Sequence, residues 1–205
     1  MKAVHLELLV EEPSMEAFLI ELLPRLLEDH ATFTIHTHQG KSDLLGKLPS
    51  RLRGYAKWLP ETMRIVVLVD RDDSNCTALK QKMETDAAAA GLLTRSASGQ
   101  ADWQVVNRLA IEELEAWYFG EWVSVNRVYP KVSENIPKQA AYRHPDTIAG
   151  GTWEALHRVL KRVGYFPGRF RKMEVATEIG KQYDPNISCS PSFIAFRNAI
   201  LEAVN

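Results

Sequence analysis

A chain of 205 residues with 45% hydrophobic and 25% charged content holds enough apolar material for one sizeable core and a small appendage. Its formal net charge of -1 carries no global excess of Lys and Arg, so a surface for nucleic acid has to be local. The two cysteines, Cys76 and Cys189, stand far apart, which argues against a disulfide framework or a zinc site and fits a reducing compartment. From Met1 the chain runs into Val-His-Leu-Glu-Leu-Leu-Val without a cleavage-site pattern, and no apolar run approaches the roughly 20 residues of a membrane span. The expectation is a soluble, cytoplasmic protein with no membrane partner.

Val4 to Val10 is a short apolar run that ends in Glu11-Glu12-Pro13-Ser14, where Pro and Ser mark a helix entry. The following helix carries Met15, Phe18, Leu19, Leu22, Leu23 and Leu26 at helical spacing, with Pro24 either kinking it or breaking it. Thr32 to His38 alternates and reads as a second strand; Leu44 to Trp58 reads as helical despite Pro49. Arg64 to Asp70 contains an uninterrupted Ile-Val-Val-Leu-Val, the signature of a central parallel strand. A helix is expected over Asn75 to Ala90, closed by Gly91, then strands at Leu92 to Ser98 and Trp103 to Ile111, the latter leading into Glu112-Glu113-Leu114-Glu115-Ala116-Trp117. Beyond about Pro130, prolines and glycines punctuate short helices at Trp153 to Val163, Met173 to Lys181 and Ser192 to Val204. The organisation read from this pattern is an α/β domain over residues 1–130 and a helical C-terminal subdomain over 131–205.

Open α/β sheets place ligands beyond the carboxyl ends of their strands, and acids collect there from three segments: Glu11-Glu12, Asp70-Arg71-Asp72-Asp73, and Glu112, Glu113 and Glu115. Converging carboxylates repel unless they share a cation, and oxygen donors without His or Cys favour magnesium or manganese. On an extended chain Asp70 and Asp72 share a face and can hold one ion jointly, while Glu11 completes the site or serves as acid/base. The bland alternative is that these acids cap backbone amides, Asp73 and Ser74 at one helix, Glu112 and Glu113 at the next. A basic stretch from His157 to Lys172 offers Arg158, Lys161, Arg162, Arg169, Arg171 and Lys172 to a polyanion, with Tyr165, Phe166 and Phe170 interleaved for base stacking or for the core. Arg51, Arg53 and Lys57 form a smaller basic group with the same two readings. His36 and His38 share a strand face and read as polar sheet surface, Cys76 as helix packing, and Ser192 as a helix cap.

The ordered blocks Leu9-Val10-Glu11 with Glu16, Val69-Asp70-Arg71-Asp72-Asp73, and Glu113-Leu114-Glu115-Ala116-Trp117 resemble the TOPRIM fold, and most of all a bacterial branch near the RloB group and the overcoming-lysogenization-defect nucleases. Lys172 and Ser190-Pro191-Ser192-Phe193 extend the likeness over nearly the whole chain, with a departure at Glu12, where that fold usually carries glycine. The resemblance implies a Rossmann-like, mostly parallel sheet with a helical C-terminal extension. It also implies a magnesium-dependent phosphodiester reaction on DNA or RNA, with Asp70 and Asp72 holding metal and Glu11 as ligand or acid/base. Glu113 and Glu115 become second-metal or supporting groups. The likeness further implies a place in defence against phage, or a non-catalytic effector role beside an ATPase. The chain has no Gly-rich phosphate loop, so that ATPase is a separate chain. A phospho-acceptor receiver also places acids after strands one and three, but lacks an evident Lys-Pro turn here and leaves everything beyond Pro130 unexplained.

Overall fold

The computed structural model describes residues 4–99 and 102–205. Strands β1 (His5–Val10), β2 (Thr32–Thr37), β3 (Met63–Asp70) and β4 (Val105–Ala110) form one sheet in the order β2-β1-β3-β4, every neighbouring pair parallel. Parallel pairing requires crossovers, and helices α1 (Pro13–Leu27), α2 (Lys41–Tyr55) and α3 (Cys76–Ala89) supply them. Because β-strand side chains alternate, the sheet has two buried faces. Leu6, Leu8 and Val10 pack with Val66 and Leu68 against α1, whereas Leu9, Ile65, Val67 and Val69 pack against α2 and α3. The helix preceding β2 therefore lies on one side and the helices that follow β2 and β3 on the other. This reversal sets a topological switch point between β1 and β3, where the two loops leave in opposite directions and open a crevice. Glu11 and Asp70 sit at its two lips.

The α1 face is also covered by α5 (Leu114–Gly120), α6 (Trp122–Val128), α7 (Thr152–Arg162), α8 (Lys172–Gln182) and α9 (Pro191–Val204), whose apolar residues share one core with β1 and β3. Trp117 is its hub, fully buried, its ring 5.2 Å from both Phe193 and Phe196, and its Nε1 donating to Ser192 Oγ at 3.0 Å. Ser190 rather than Ser192 caps α9, accepting from Phe193 N at 3.2 Å. Pro24 lies inside α1 without breaking it, and α8 runs so close that a Cβ on Gly180 would stand 3.1 Å from the Phe18 carbonyl oxygen. Among the described residues no helix is long and apolar enough to cross a membrane.

The strand expected over Leu92 to Ser98 is not formed. Thr94 makes a single bridge to Val105, and the chain then coils into a four-residue helix, α4 (Arg95–Ser98), ended by Gly99 in the left-handed region. Ser, Ala and Gly supply no β-branched face to pack, and Arg95 is drawn instead into an ion pair with Glu202 at 2.6 Å. His36 donates to Glu7 Oε2 at 2.5 Å, so the polar sheet face is a built hydrogen-bond cluster. His38 donates to the Val10 carbonyl at 2.9 Å, and Cys76 is exposed on the first turn of α3 rather than packed.

Candidate carboxylate site at the switch point

Strand β3 carries its apolar alternation to the last residue, so Asp70 ends on the face shared with Leu68 and is drawn under the α1 side, only 4% exposed. Its Oδ1 has no hydrogen-bond partner among the described residues. Burial, then the charges of Glu11, Glu12, Glu115 and Asp72, push its pKa well above the ordinary aspartate value. Across the crevice Glu11 follows Val10 and accepts a bond from the Asp70 amide at 3.1 Å, which fixes it against β3. Burial first, and the Asp72 charge second, raise Glu11 to about 7. Glu115, in the first turn of α5, is 2% exposed with Oε2 unpartnered, and burial raises it to about 8. Three segments thus deliver carboxyl groups that are each more costly to ionise here than in water.

The Asp-x-Asp geometry differs from an extended alternation. The chain leaves β3 after Asp70, and Asp72 takes a positive φ of 46°, held by its amide donating to the Glu112 carbonyl at 2.8 Å. Its carboxylate is claimed by Lys41, whose Nζ lies 2.6 Å from Asp72 Oδ2 and also donates to the Arg71 carbonyl at 2.8 Å and Ser74 Oγ at 3.3 Å. Lys41 is placed by Gly40, which has a φ of 93° that a side chain would strain, and whose amide donates to the Glu11 carbonyl at 3.0 Å. Arg71 turns to an ion pair with Glu112. Asn75, not Asp73 or Ser74, caps α3, accepting from Ala78 N at 3.0 Å.

Glu113 splits its duties. Oε2 accepts from Thr152 N, Thr152 Oγ1 and Trp153 N, each at 3.0 Å, and so closes the N-terminus of α7. Glu12 has an extended backbone with φ of -139° that any residue adopts, and its side chain accepts from Ser14 Oγ. Lys172 approaches Glu12 at 3.7 Å. Burial alone would lower the Lys172 pKa, but the charges of Glu115, Glu12, Glu113 and Asp70 outweigh it and raise the ammonium's pKa. Lys172 therefore belongs to the carboxylate cluster, although its place in a basic run reads as polyanion binding. Sequence reasoning also missed Lys41, 31 residues from its partner Asp72, and Tyr118, whose buried hydroxyl, without a partner among the described residues, shares the field of Glu115, Glu12 and Asp70. Tyr118 stands three residues after Glu115, one turn along the same helix face, and that spacing was a readable signal.

Oxygen donors alone, two of them buried and unpartnered, match the chemistry of a hard divalent ion. Among the described residues no three His, Cys, Asp or Glu side chains close on one point as a ready-made cage. The outer carboxylates Asp72 and Glu12 are instead engaged by lysines.

Of the basic run, Arg158, Lys161, Arg162 and Arg169 are exposed and make no ion pair among the described residues, whereas Arg171 pairs with Glu174 at 2.9 Å. Phe170 and Phe166 pack edge to face, and Tyr165 packs on Tyr129, so these three rings serve the core. On α2, Arg53 is exposed and Arg51 half-buried, with Lys57 exposed just beyond it.

The family model described as domain of unknown function DUF4276 matches residues 10–201. Among solved structures, the chain is similar to the C-terminal region of the OLD protein of Xanthomonas campestris pv. campestris, with a TM-score of 0.46 and 16% identity over 98% of this chain and 94% of that one. No curated protein matches.

Proposed function

We propose the function of this chain, which belongs to the DUF4276 family, from its carboxylates: a divalent-metal-dependent phosphodiesterase acting on nucleic acid. One observation carries the reading, the Asp70 carboxyl buried at the switch point amid Glu11, Glu12, Glu115 and Asp72, its Oδ1 without a partner among the described residues. A fold tolerates such a cluster when it serves chemistry, because the repulsion is otherwise a standing cost to stability. Asp70 and Asp72 would hold magnesium or manganese, with Glu11 as a further ligand or as the acid/base, and Glu115 and the second oxygen of Glu113 in support. The ion would supply charge stabilisation on the phosphoryl oxygens and a lowered pKa for the attacking water.

The chain's own groups do the rest. As the acid/base, Glu11 would draw on the burial and the Asp72 charge that raise it to about 7 before an ion is bound. Lys41 holds Asp72 by one bond and the turn around it by two more, to the Arg71 carbonyl and Ser74 Oγ, and Lys172 tempers the charge of the inner carboxylates.

Incubation with single-stranded DNA, duplex DNA and transfer RNA, in magnesium or manganese and in chelator, is the test. Metal-dependent cleavage is expected, falling on the order of 10²–10⁴-fold in Glu11→Gln. Cleavage that survives chelator or the substitution would overturn the assignment. Metal binding without cleavage of any substrate would replace it with a partner-activated effector working beside a separate ATPase.

A further inference from the structure

The carboxylate site opens onto the first of three adjoining grooves that change sign of charge along α7. The first, about 510 Å³, is lined by Asp72, Asp73, Glu112, Glu113 and Glu154. The second, about 340 Å³, shares Glu154 with it and continues along Trp153, His157, Arg158, Lys161 and Arg162. The third, about 420 Å³, shares Trp153 and His157 with the second, adds Arg169, and returns to the site through Lys172. Helical spacing explains the order. Trp153, His157 and Lys161 form one row at intervals of four, and Glu154, Arg158 and Arg162 form the adjacent row. Four cations here, Arg158, Lys161, Arg162 and Arg169, have no carboxylate partner among the described residues, in a chain of net charge -1.

Trp153 and His157 are the wall between two grooves. Their rings lie within 16° of parallel, centroids 6.4 Å apart, and both remain half-buried, with the more buried Phe170 ring packed against both and lining the third groove beside them. Lys172 lies 5.5 Å from the Trp153 ring centroid, and His157 Nε2 donates to the Phe166 carbonyl at 3.2 Å, which holds the Arg169 turn against α7. Duplex DNA presents phosphates but stacks its bases inside, so it would use the cations and ignore the aromatic step. A single strand uses both, backbone on the cations and a base on the ring.

We propose that α7 and the turn after it form a track for single-stranded nucleic acid, with a base stacked at Trp153–His157 and the backbone led by Arg158, Lys161, Arg162 and Arg169 toward Glu113. The proposal rests on the phosphodiesterase reading for its direction but stands on separate residues. The track's charge is local, which is why whole-chain composition gave no sign of it.

Fluorescence anisotropy of labelled oligothymidylate and of a blunt duplex of equal length, with the full chain in chelator over a salt series, tests it. The single strand is expected to bind at least ten-fold tighter than the duplex. Arg158→Ala/Arg162→Ala should weaken binding and lower the magnitude of the log-log salt slope by about 1.4, at roughly 0.7 per phosphate contact. Trp153→Leu should weaken it about five- to one-hundred-fold with the slope unchanged, and Trp153→Phe should recover most of the loss. Equal affinity for duplex and single strand, or indifference to Trp153→Leu in a protein with unaltered melting, would overturn the track. Hydrolysis of bis(p-nitrophenyl) phosphate separates the two ideas. If the small diester is cleaved and the oligonucleotide does not bind, the track fails and the phosphodiesterase reading stands. If the oligonucleotide binds and no diester is cleaved, the phosphodiesterase reading is the one that fails.

Discussion

Asp70→Asn is expected to raise the unfolding temperature by about 2–6 °C in chelator while removing metal-dependent cleavage. The carboxyl is buried without a donor for Oδ1 and stands in the field of Glu11, Glu12, Glu115 and Asp72, so it opposes folding whether it ionises or takes up a proton. The amide has the same shape and no charge, and its NH₂ group meets carboxylates that accept a bond. The gain should be about 1–2 kcal/mol, which for a chain of this size corresponds to the shift stated. Thermal melts paired with the cleavage assay check it. Loss of stability would instead identify Asp70 as a satisfied structural group and remove the argument that the cluster exists for chemistry.

Glu7→Gln carries the opposite expectation, a loss of about 1–3 kcal/mol at neutral pH with metal binding unaffected. Glu7 lies on the other face of β1 and accepts from His36 Nε2 at 2.5 Å, Tyr55 hydroxyl at 2.8 Å and His5 Nε2 at 3.2 Å, tying the edge strand β2 and helix α2 to β1. Burial would raise its pKa, but the bonds from His36 and Tyr55 prevail and hold it below the ordinary 4.5. A depressed carboxylate stabilises the fold at pH above its unfolded value and loses that contribution as pH falls through the folded one. Urea unfolding should therefore show the wild type and Glu7→Gln far apart at pH 7 and converging only as pH falls below 4.5 and through the lowered folded pKa. A gap that widens on acidification would contradict this account of the cluster.

The frame of the fold was legible because β3 is a continuous apolar run and the following acids mark its end, a pattern that depends on nothing remote. The stretch after Gly91 was misread because Leu92-Leu93 resembles a strand start, while the tertiary pull of Glu202 on Arg95, more than one hundred residues away, leaves no local trace. That Glu11, Asp70 and Glu115 lie toward one edge of the sheet was an expectation from the rule that such sheets gather ligands at strand ends. Their detailed roles did not follow from it. Lys41 reaches Asp72 only because Gly40 turns α2 toward the crevice, and Asp72 leaves the shared face because the loop is tied to the Glu112 carbonyl. Lys172 sits in sequence beside Arg169 and Arg171, yet the start of α8 directs it into the acids while Arg171 remains at the surface. Glu12 stands where the sequence resemblance led one to expect glycine, and it does so without strain, since its φ is one any residue adopts.

Calorimetric titration of magnesium and manganese into the wild type and into Asp70→Asn/Asp72→Asn tests the metal site most directly. Saturable binding by the wild type, lost in the double variant although that variant melts no lower, is the result this arrangement predicts. No binding by the wild type at millimolar metal would contradict it and return Glu11, Asp70 and Asp72 to the rank of ordinary residues at strand ends.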